Sequence, residues 1–297
     1  MRSEGDRTHA QRFEVTRSDP QFPAHLTQFD WCPEVLYGRG DADLLRRGIG
    51  IIGARKATPY GIKAAGQVAQ WCASLGLPVY SGAAIGCDQA AHRGALDAQG
   101  VTVAVLGCGA DIIYPRGART LLDEIVERGA VVSNFPWATP PQRYTFIERN
   151  RLIVALSHLL VVVEGRMPSG TFSAVNWAHQ LNVDVAVVPG SIFSPESSGP
   201  HHLLSNGAMP LCTKEDLVDA LALTIEYEDR PVQEIPRKVL SEDEKAMLEM
   251  IEPMPLSIDE IARATHLPVV TAMVTVNLLE MKGFIQRLPD GRVLAIR

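Results

Sequence analysis

The amino-acid sequence predicts a doubly wound α/β fold, with a mostly parallel, Rossmann-like sheet, followed by a small winged-helix domain. From about residue 48, short apolar runs alternate with amphipathic ones. The runs are apolar throughout, which is typical of parallel strands that helices cover on both faces. A charged stretch with two prolines, 226–240, follows and separates a shorter helical region. We therefore expect a lead-in (1–45), an α/β domain (46–225), a linker (226–240) and a winged-helix domain (241–297).

The elements of the α/β domain follow from this alternation. The predicted strands are 48–53, 79–81, 101–106, 130–133, 159–163 and 183–188. The predicted helices are 58–75, 88–98, 118–128, 146–157 and 172–181. Thr58 followed by Pro59 is typical of a helix start, since threonine caps the first turn and proline suits the first helical position.

The C-terminal region contains three predicted helices, 242–251, 258–264 and 269–281, and a hairpin over 284–296 that turns at Pro289-Asp290-Gly291. Three helices and a hairpin resemble a winged helix. The third helix has no lysine or arginine, and residues 239–297 carry nine acidic and six basic side chains. A winged helix that recognises duplex DNA carries basic side chains on this third helix. Because they are absent here, we expect this domain to serve mainly protein contacts.

Composition excludes several classes of function. The 297-residue chain is 46% hydrophobic and 21% charged, with a net charge of -6. This acidity argues against a protein that coats nucleic acid with its whole surface, although it permits a local basic groove. The sequence contains no membrane-length apolar run and no secretory signal. Five scattered cysteines without a Cys-x-x-Cys pair predict reduced thiols, a cytoplasmic location and no metal site. We expect no cofactor.

Five loops follow the predicted strands and are suited to anions: 53–56, 81–88, 107–115, 135–151 and 164–171. Carboxyl ends of parallel strands meet at one edge, where ligands bind in such folds. Glycines let the backbone approach a phosphate. Residues 146–151 add an aromatic ring, an asparagine and two arginines at a helix start. Arginine forks and helix N–H groups bind phosphate, and rings stack on bases. These loops therefore predict a phosphate-rich ligand that carries bases.

The candidate binding residues are Gly53, Ala54, Arg55, Lys56, Gly82, Gly86, Arg143, Phe146, Arg149, Asn150, Arg151, Ser169, Gly170 and Thr171. Most of these residues also have a structural interpretation. Gly82 and Gly86 could simply permit tight strand-to-helix packing, and Phe146 could belong to the core. The arginines at 149 and 151 could pair with nearby glutamates. No set of nucleophile, base and acid is evident, so we expect no catalytic residues.

The same motifs, in the same order over about residues 20–225, resemble those of the DNA-processing protein A family (DprA, also called Smf). They are the Phe22-Pro23, Leu26 and Leu36-Tyr37-Gly38 lead-in, Gly53-Ala54-Arg55, the run Ser81 to His92, Ala104 to Gly109 with Tyr114-Pro115, Phe146 to Ile153, Ser169-Gly170-Thr171, Val188-Pro189-Gly190 and Gly199 to Ala208. Three positions depart from the family pattern: Ala54 replaces serine, Ile85 replaces arginine and Asn134 replaces glutamate.

The resemblance implies a non-catalytic protein that binds single-stranded DNA, forms a homodimer through the α/β domain and helps to load a RecA-type recombinase during natural transformation. By motif, the Gly53–Arg55 loop and Arg143 contact phosphates, Phe146 meets a base, and residues 149–151 shape the pocket. The alternatives are a nucleotide-binding sensor and a phosphoribohydrolase-like enzyme on the same fold. Those hydrolases carry glutamates after a similar glycine-rich loop, whereas Phe172 and Ser173 stand here.

Overall fold

The computed structural model describes residues 12–167, 170–229, 242–251, 255–265, 267–281, 284–288 and 292–295. The chain divides into two compact units, Met1–Asp229 and Arg230–Arg297. Within the described residues, no helix combines the length and the apolar character needed to cross a bilayer.

The described part of the first unit contains a nine-stranded sheet. Its strands are β1 (Arg12–Thr16), β2 (Val35–Gly40), β3 (Gly48–Ile52), β4 (Val79–Ser81), β5 (Thr102–Val105), β6 (Ala130–Ser133), β7 (Ser157–Val162), β8 (Asp184–Val187) and β9 (Met209–Pro210). The order is β1-β2-β6-β5-β4-β3-β7-β8-β9. All pairs from β6 to β9 are parallel, and β2 pairs antiparallel with both β1 and β6. The predicted mostly parallel sheet is confirmed.

Helices cover both faces of this sheet. They are α1 (Pro59–Ser74), α2 (Cys87–Asp97), α3 (Arg119–Arg128), α4 (Arg143–Ala155), α5 (Thr171–Gln180), α6 (Ser198–Ser205) and α7 (Lys214–Asp229). One core cluster joins α1, α2 and α7 to the sheet, and a second joins α4, α5 and α6 to its other face. Side chains alternate between faces along a strand, so Ile51 of β3 enters one cluster and Ile52 the other.

The strand order places a topological switch point at β3. From β3 the chain moves outward through β4 and β5 to β6, and it then returns to β7 on the opposite side of β3. Connections from β3 and β7 therefore diverge and leave a crevice at their carboxyl ends, which is where open α/β sheets bind ligands.

Helix α4 begins three residues earlier than the sequence pattern predicted, so the predicted fourth loop, 135–151, ends at Gln142. The hydroxyl of Thr145 explains the early start. It accepts from the Gln142 backbone N–H at 3.1 Å and lies 2.5 Å from the Gly107 carbonyl oxygen. A first-turn threonine bonded in this way satisfies a donor at the helix start. The candidate residues 143–151 consequently lie on a helix.

Sequence patterning missed β1, β2, β9, α6 and α7. The first two strands form an antiparallel addition at one sheet edge, and the alternation of apolar and amphipathic runs typical of the α/β domain begins only at residue 48. Helix α7 extends to Asp229, so the first four residues of the predicted linker are helical. Residues 230–241 lie outside the described residues.

The second unit contains three helices, α8 (Glu242–Ile251), α9 (Ile258–Thr265) and α10 (Val269–Met281), as predicted. Strands β10 (Ile285–Arg287) and β11 (Val293–Ala295) pair antiparallel. Met247, Ile261 and Val276 contribute to a separate apolar core. The predicted turn at 289–291 lies outside the described residues. This arrangement agrees with the predicted winged helix.

Candidate functional site

A cleft of about 870 Å³ opens at the carboxyl ends of β3, β4 and β7, at the switch point. Four segments supply most of its walls: the loop after β3, the loop after β4 with the start of α2, the first two turns of α4, and the region from the loop after β7 into α5. The lining residues are Ile52, Gly53, Ala54, Arg55, Lys56, Ala84, Asp88, Arg143, Phe146, Ile147, Arg149, Asn150, Gly165, Arg166, Gly170, Thr171, Ser173 and Glu196.

The cleft is cationic in a protein whose net charge is negative. Five lining side chains are arginine or lysine, and two are carboxylates. Glu196 pairs with Arg166 at 2.6 Å. Arg55, Lys56 and Arg143 are exposed, and no described carboxylate lies within ion-pair distance of them. These three side chains give the cleft positive charge that no carboxylate of the described residues pairs with at ion-pair distance.

Phe146 presents a partly exposed aromatic ring to this cleft. The ring centroid lies 5.3 Å from that of Tyr114. The guanidinium carbons of Arg55 and Arg149 lie 5.8 and 5.7 Å from it. A side chain at Gly107 would collide with the ring, so the ring rests against backbone there. These contacts fix the ring's position and leave part of it open to a ligand.

Arg149 is buried and joins two strand ends to α4. Its Nη1 donates to the carbonyl oxygens of Gly82 at 2.6 Å and Val105 at 2.9 Å. Burial lowers the pKa of its guanidinium, and the neighbouring carboxylate of Asp88 opposes that shift. The guanidinium occupies the space that a Cβ at Gly82 would need. Arg149 therefore forms part of the cleft wall and has fewer free donors than the exposed cations.

Asp88 orders the loop after β4 from inside. Its carboxylate accepts from the backbone N–H groups of Gly82 at 3.2 Å and Ala84 at 3.4 Å. Burial raises the pKa of this carboxyl, while Arg149 and the two N–H donors act in the opposite direction. The carboxylate thus serves the loop and the buried guanidinium.

Gly82 and Gly86 do not line the cleft, in contrast to the sequence expectation. Gly86 has a φ of 97°, and a Cβ there would collide with the carbonyl oxygen of Ala54. The absent side chain lets the 53–56 loop lie on the start of α2, where Cys87 N donates to the Ala54 carbonyl at 3.2 Å. Both glycines therefore act through close packing, which was their structural interpretation.

Arg151 also lies away from the cleft, so its assignment to the binding set is corrected. It is two residues beyond Arg149, and two helical residues rotate a side chain by about 200°. Its guanidinium carbon lies 3.9 Å from the Trp31 ring centroid and 4.6 Å from that of Trp177. Its Nη1 pairs with Glu148 at 3.3 Å. Arg151, on α4, therefore packs against Trp31 of the lead-in and Trp177 of α5.

The fifth loop and the start of α5 complete the wall of the cleft. Gly170 and Thr171 line it, whereas Ser169 lies outside the described residues. Asn150 joins α4 to α5, because its Nδ2 donates to Ser173 Oγ at 2.8 Å. Of the candidate residues, the cleft gathers those at 53–56, 143, 146, 149, 150, 170 and 171.

The N-terminus of α1 is already occupied by a carboxylate of the protein. Buried Glu164 accepts from Thr58 N at 2.9 Å and from Thr58 Oγ1 at 2.6 Å. Pro59 has no N–H, and Gly61 N donates to the threonine hydroxyl at 3.2 Å. The helix start that often binds phosphate in such folds is therefore filled from within.

Sequence reasoning missed Arg166, Ile147 and Glu196 in the lining. Arg166 was detectable, because it is a basic residue in the predicted loop after β7. Ile147 follows Phe146 on the cleft side of α4. Glu196 reaches the cleft through tertiary folding, since Gly165 N donates to its carbonyl oxygen at 2.8 Å. No local pattern marks that contact.

The fold and the cleft define a doubly wound α/β protein with a cationic, aromatic-bearing crevice at its switch point, joined to a winged helix. The family model described as DNA recombination-mediator protein A matches residues 14–222, and the model for the DprA winged helix domain matches residues 233–291. The chain belongs to the DNA-processing protein A (DprA/Smf) family.

Several relatives resemble this chain over most of its length. A putative DNA processing protein DprA of Mycobacterium tuberculosis is 37% identical over 270 residues, which are 89% of this chain and 69% of the relative. The DNA processing protein DprA of Bacillus subtilis is 34% identical over 206 residues, 69% of each chain.

Two solved structures share the fold. DprA of Streptococcus pneumoniae has a TM-score of 0.66 and 32% identity, and the match covers 70% of this chain and 74% of that one. DNA processing protein A of Helicobacter pylori, whose structure concerns its single-stranded DNA binding mode, has a TM-score of 0.65 and 28% identity over 72% and 97% of the two chains.

Proposed function

We propose that this chain binds single-stranded DNA without sequence preference in the cleft, and that it passes the strand to a RecA-type recombinase during DNA uptake, natural transformation or recombination. One observation carries the proposal: Arg55, Lys56 and Arg143, exposed and without carboxylate partners among the described residues, line the same cleft as the partly exposed ring of Phe146. In this proposal the protein is a mediator and not an enzyme.

The chemistry of this cleft suits an unpaired strand better than a duplex. Exposed guanidinium and ammonium groups bind backbone phosphates regardless of sequence. A ring in a recess can stack only on a base that is free to leave its neighbours, as in single strands. The reported single-stranded DNA binding by the Helicobacter pylori relative supports the same ligand.

Within the part of the chain that the structure describes, the carboxylates near the cleft are engaged, which disfavours the hydrolase alternative. Asp88 accepts from two backbone N–H groups, and Glu196 pairs with Arg166. Glu164 is tied to Thr58 at the start of α1. Glycoside hydrolysis needs a general acid and a second carboxylate at the sugar, and neither role has a free candidate in the lining.

The nucleotide-sensor alternative is disfavoured by the same contacts at α1. A mononucleotide gains much of its affinity in such folds from helix N–H groups that hold its phosphate. Here the Glu164 carboxylate lies at that position and accepts from Thr58, and Gly61 N donates to the Thr58 hydroxyl. The loss of these helix donors affects a polynucleotide less, because a polynucleotide can contact several of the exposed cations (Arg55, Lys56 and Arg143) together.

The test compares a labelled single strand with a duplex of the same sequence by fluorescence anisotropy over a range of salt. We expect tighter binding of the single strand, and an affinity that falls with salt by about 0.7 logarithmic units for each phosphate contacted. A parallel assay measures base release from nucleoside monophosphates and should detect none. Equal affinity for both DNA forms, or rapid base release, contradicts the proposal.

The recombinase and the homodimer form separate parts of the proposal. Light scattering should give the mass of two chains, as the resemblance to the family implies. On a single strand covered by a single-strand-binding protein, a RecA-type recombinase should begin DNA-dependent ATP hydrolysis sooner when this chain is present. A monomeric mass contradicts the dimer, and an unchanged lag contradicts recombinase loading while leaving DNA binding in place.

A further inference from the structure

The loop between β8 and α6 carries two large apolar side chains that the fold does not bury. Ile192 is 79% exposed and Phe193 is 89% exposed, the highest values among large hydrophobic residues in the described ranges. Exposed aromatic rings of this kind mark surfaces that meet another molecule. The cleft lining does not include either residue.

This loop is held at both ends, so the exposure of Phe193 does not arise from a loose segment. The Tyr60 hydroxyl donates to the Pro189 carbonyl at 2.5 Å. His201 Nε2 lies 3.1 Å from the Gly190 carbonyl oxygen. At the other end, Gly165 N donates to the Glu196 carbonyl at 2.8 Å. The loop is therefore a fixed support that presents the ring to solvent.

The internal turns of the loop strengthen this support. Ser194 N donates to the Ser191 carbonyl at 3.0 Å, and Ser197 N donates to the Ser194 carbonyl at 3.0 Å. The backbone N–H of Phe193 itself donates to Ser191 Oγ at 3.2 Å. Since these bonds order the backbone before any ligand arrives, a ligand at the ring pays little ordering entropy.

The loop lies at the same sheet edge as the cleft. Strands β3, β7 and β8 are consecutive parallel neighbours, so the loops after them emerge side by side. Glu196 of this loop lines the cleft and pairs with Arg166. Phe193 is three residues from Glu196, a span of at most about 11 Å between Cα atoms. Phe193 is therefore close in the chain to a residue that lines the cleft and pairs with Arg166.

Arg166, in the neighbouring loop, provides a positive charge. Its side chain is 63% exposed, and its contact with Glu196 uses only Nε. A guanidinium has five N–H donors, so the terminal donors of Arg166 can still bind a phosphate. The exposed ring, the exposed guanidinium and the cleft therefore all belong to loops at one edge of the sheet.

We propose that Phe193, with Ile192 beside it, is a second base-stacking position for single-stranded DNA that extends out of the cleft, and that Arg166 binds the intervening phosphate. This inference rests on the proposed function. A nucleic acid is favoured over a protein partner because the loop that carries the ring also supplies a lining residue of the cationic cleft. A stacked base and a neutralised phosphate are also the two contacts that single-strand grooves repeat.

The test measures binding of two labelled oligonucleotides, a short one that fills only the cleft and a longer one. Phe193→Ala should weaken binding of the longer strand by about tenfold, the equivalent of about 1.4 kcal/mol for one stacked base. Binding of the short strand should not change. Phe193→Trp should restore the affinity, and Phe193→Leu, which keeps apolar surface without a ring, should not.

The outcomes separate this inference from the proposed function. If the wild type binds neither strand, the proposed function fails. If the wild type and Phe193→Ala bind the longer strand equally, the stacking position is wrong and the cleft proposal stands. An equally tight Phe193→Leu variant, or a changed mass by light scattering with unchanged DNA affinity, assigns the surface to apolar protein contact and overturns the inference.

Discussion

The guanidinium carbon of Arg55 lies 5.8 Å from the centroid of the Phe146 ring, although the two residues are 91 positions apart in the sequence. The contact brings the loop after β3 against the first turns of α4. It places a full positive charge and an aromatic face at adjacent points of one cleft. A phosphate and the base of the same or a neighbouring nucleotide are separated by a comparable distance, so one strand can use both.

Arg55→Ala should weaken binding of single-stranded DNA and reduce the salt slope by about 0.7, the value for one lost phosphate contact. Stability should not change, because the side chain is exposed. Arg119→Ala is the matched control, since Arg119 is exposed on α3 and does not line the cleft. Anisotropy at moderate salt gives the affinity, and thermal unfolding gives the stability. Unaltered affinity in Arg55→Ala contradicts the assignment.

Phe146→Ala should weaken binding of an oligonucleotide that carries bases by about 1–3 kcal/mol, the usual contribution of one stacked base. Binding of an abasic backbone of equal length should change little, because Arg55, Lys56 and Arg143 remain to contact its phosphates. The ring also packs on Tyr114 and Gly107, so circular dichroism should accompany the measurement. Equal losses on both ligands would rule out stacking by this ring.

Gly82→Ala should destabilise the fold by about 1–3 kcal/mol, the cost of forcing extra volume into a packed site. The added methyl group would meet the guanidinium of Arg149, which is held by two carbonyl oxygens and cannot easily withdraw. Gly117→Ala is the control, because a Cβ there meets open space. Urea unfolding measures both variants. An unchanged midpoint for Gly82→Ala would mean that Arg149 moves freely.

His25 should make the fold less stable in acid. Burial lowers its pKa to about 4 from 6.5, and the positive charges of Arg47 and His158 add to that effect. Between these two values the unfolded chain binds a proton that the folded chain does not, so stability falls as pH falls from 6.5 toward 4. Replacing His25 by glutamine should reduce this decline. Urea unfolding of both proteins at several pH values measures the difference, and parallel curves would contradict the assignment.

Removal of residues 239–297 should leave the affinity for single-stranded DNA nearly unchanged. The cleft lies within Met1–Asp229, which has its own apolar core. Helix α10 bears no lysine or arginine to add phosphate contacts. Anisotropy with the truncated and full-length chains tests this directly. A loss of about tenfold or more, equivalent to 1.4 kcal/mol, would place part of the binding surface in the winged helix.

Local patterns were sufficient for most of the sheet, because buried parallel strands and capped helices leave signals within a few residues. Thr58 and Pro59 begin α1 as the sequence indicates, and the Thr58 hydroxyl accepts from Gly61 N. The meeting of the loops at one edge of the sheet follows from topology alone, because the carboxyl ends of parallel strands lie at the same edge. The segments that carry the family motifs supply most of the cleft lining.

The orientation of individual side chains depended on contacts distant in sequence. Arg149 and Arg151 share one motif, yet one is drawn to the Gly82 and Val105 carbonyls and the other is held between Trp31 and Trp177. Such partners cannot be assigned from spacing. For the same reason the sequence does not show why position 82 is glycine: the Arg149 guanidinium occupies the space that a side chain there would need.

The carboxylate of Glu164 at the start of α1 has a consequence for competition between ligands. Under the proposed function, a free nucleotide could use few of the exposed cations at once, and each surface ion pair contributes little by itself. A polymer that engages several of them gains through multivalency, because each contact raises the effective concentration for the next. If the cleft binds single strands as proposed, a helix terminus filled by Glu164 favours long strands over the monomers from which they are made.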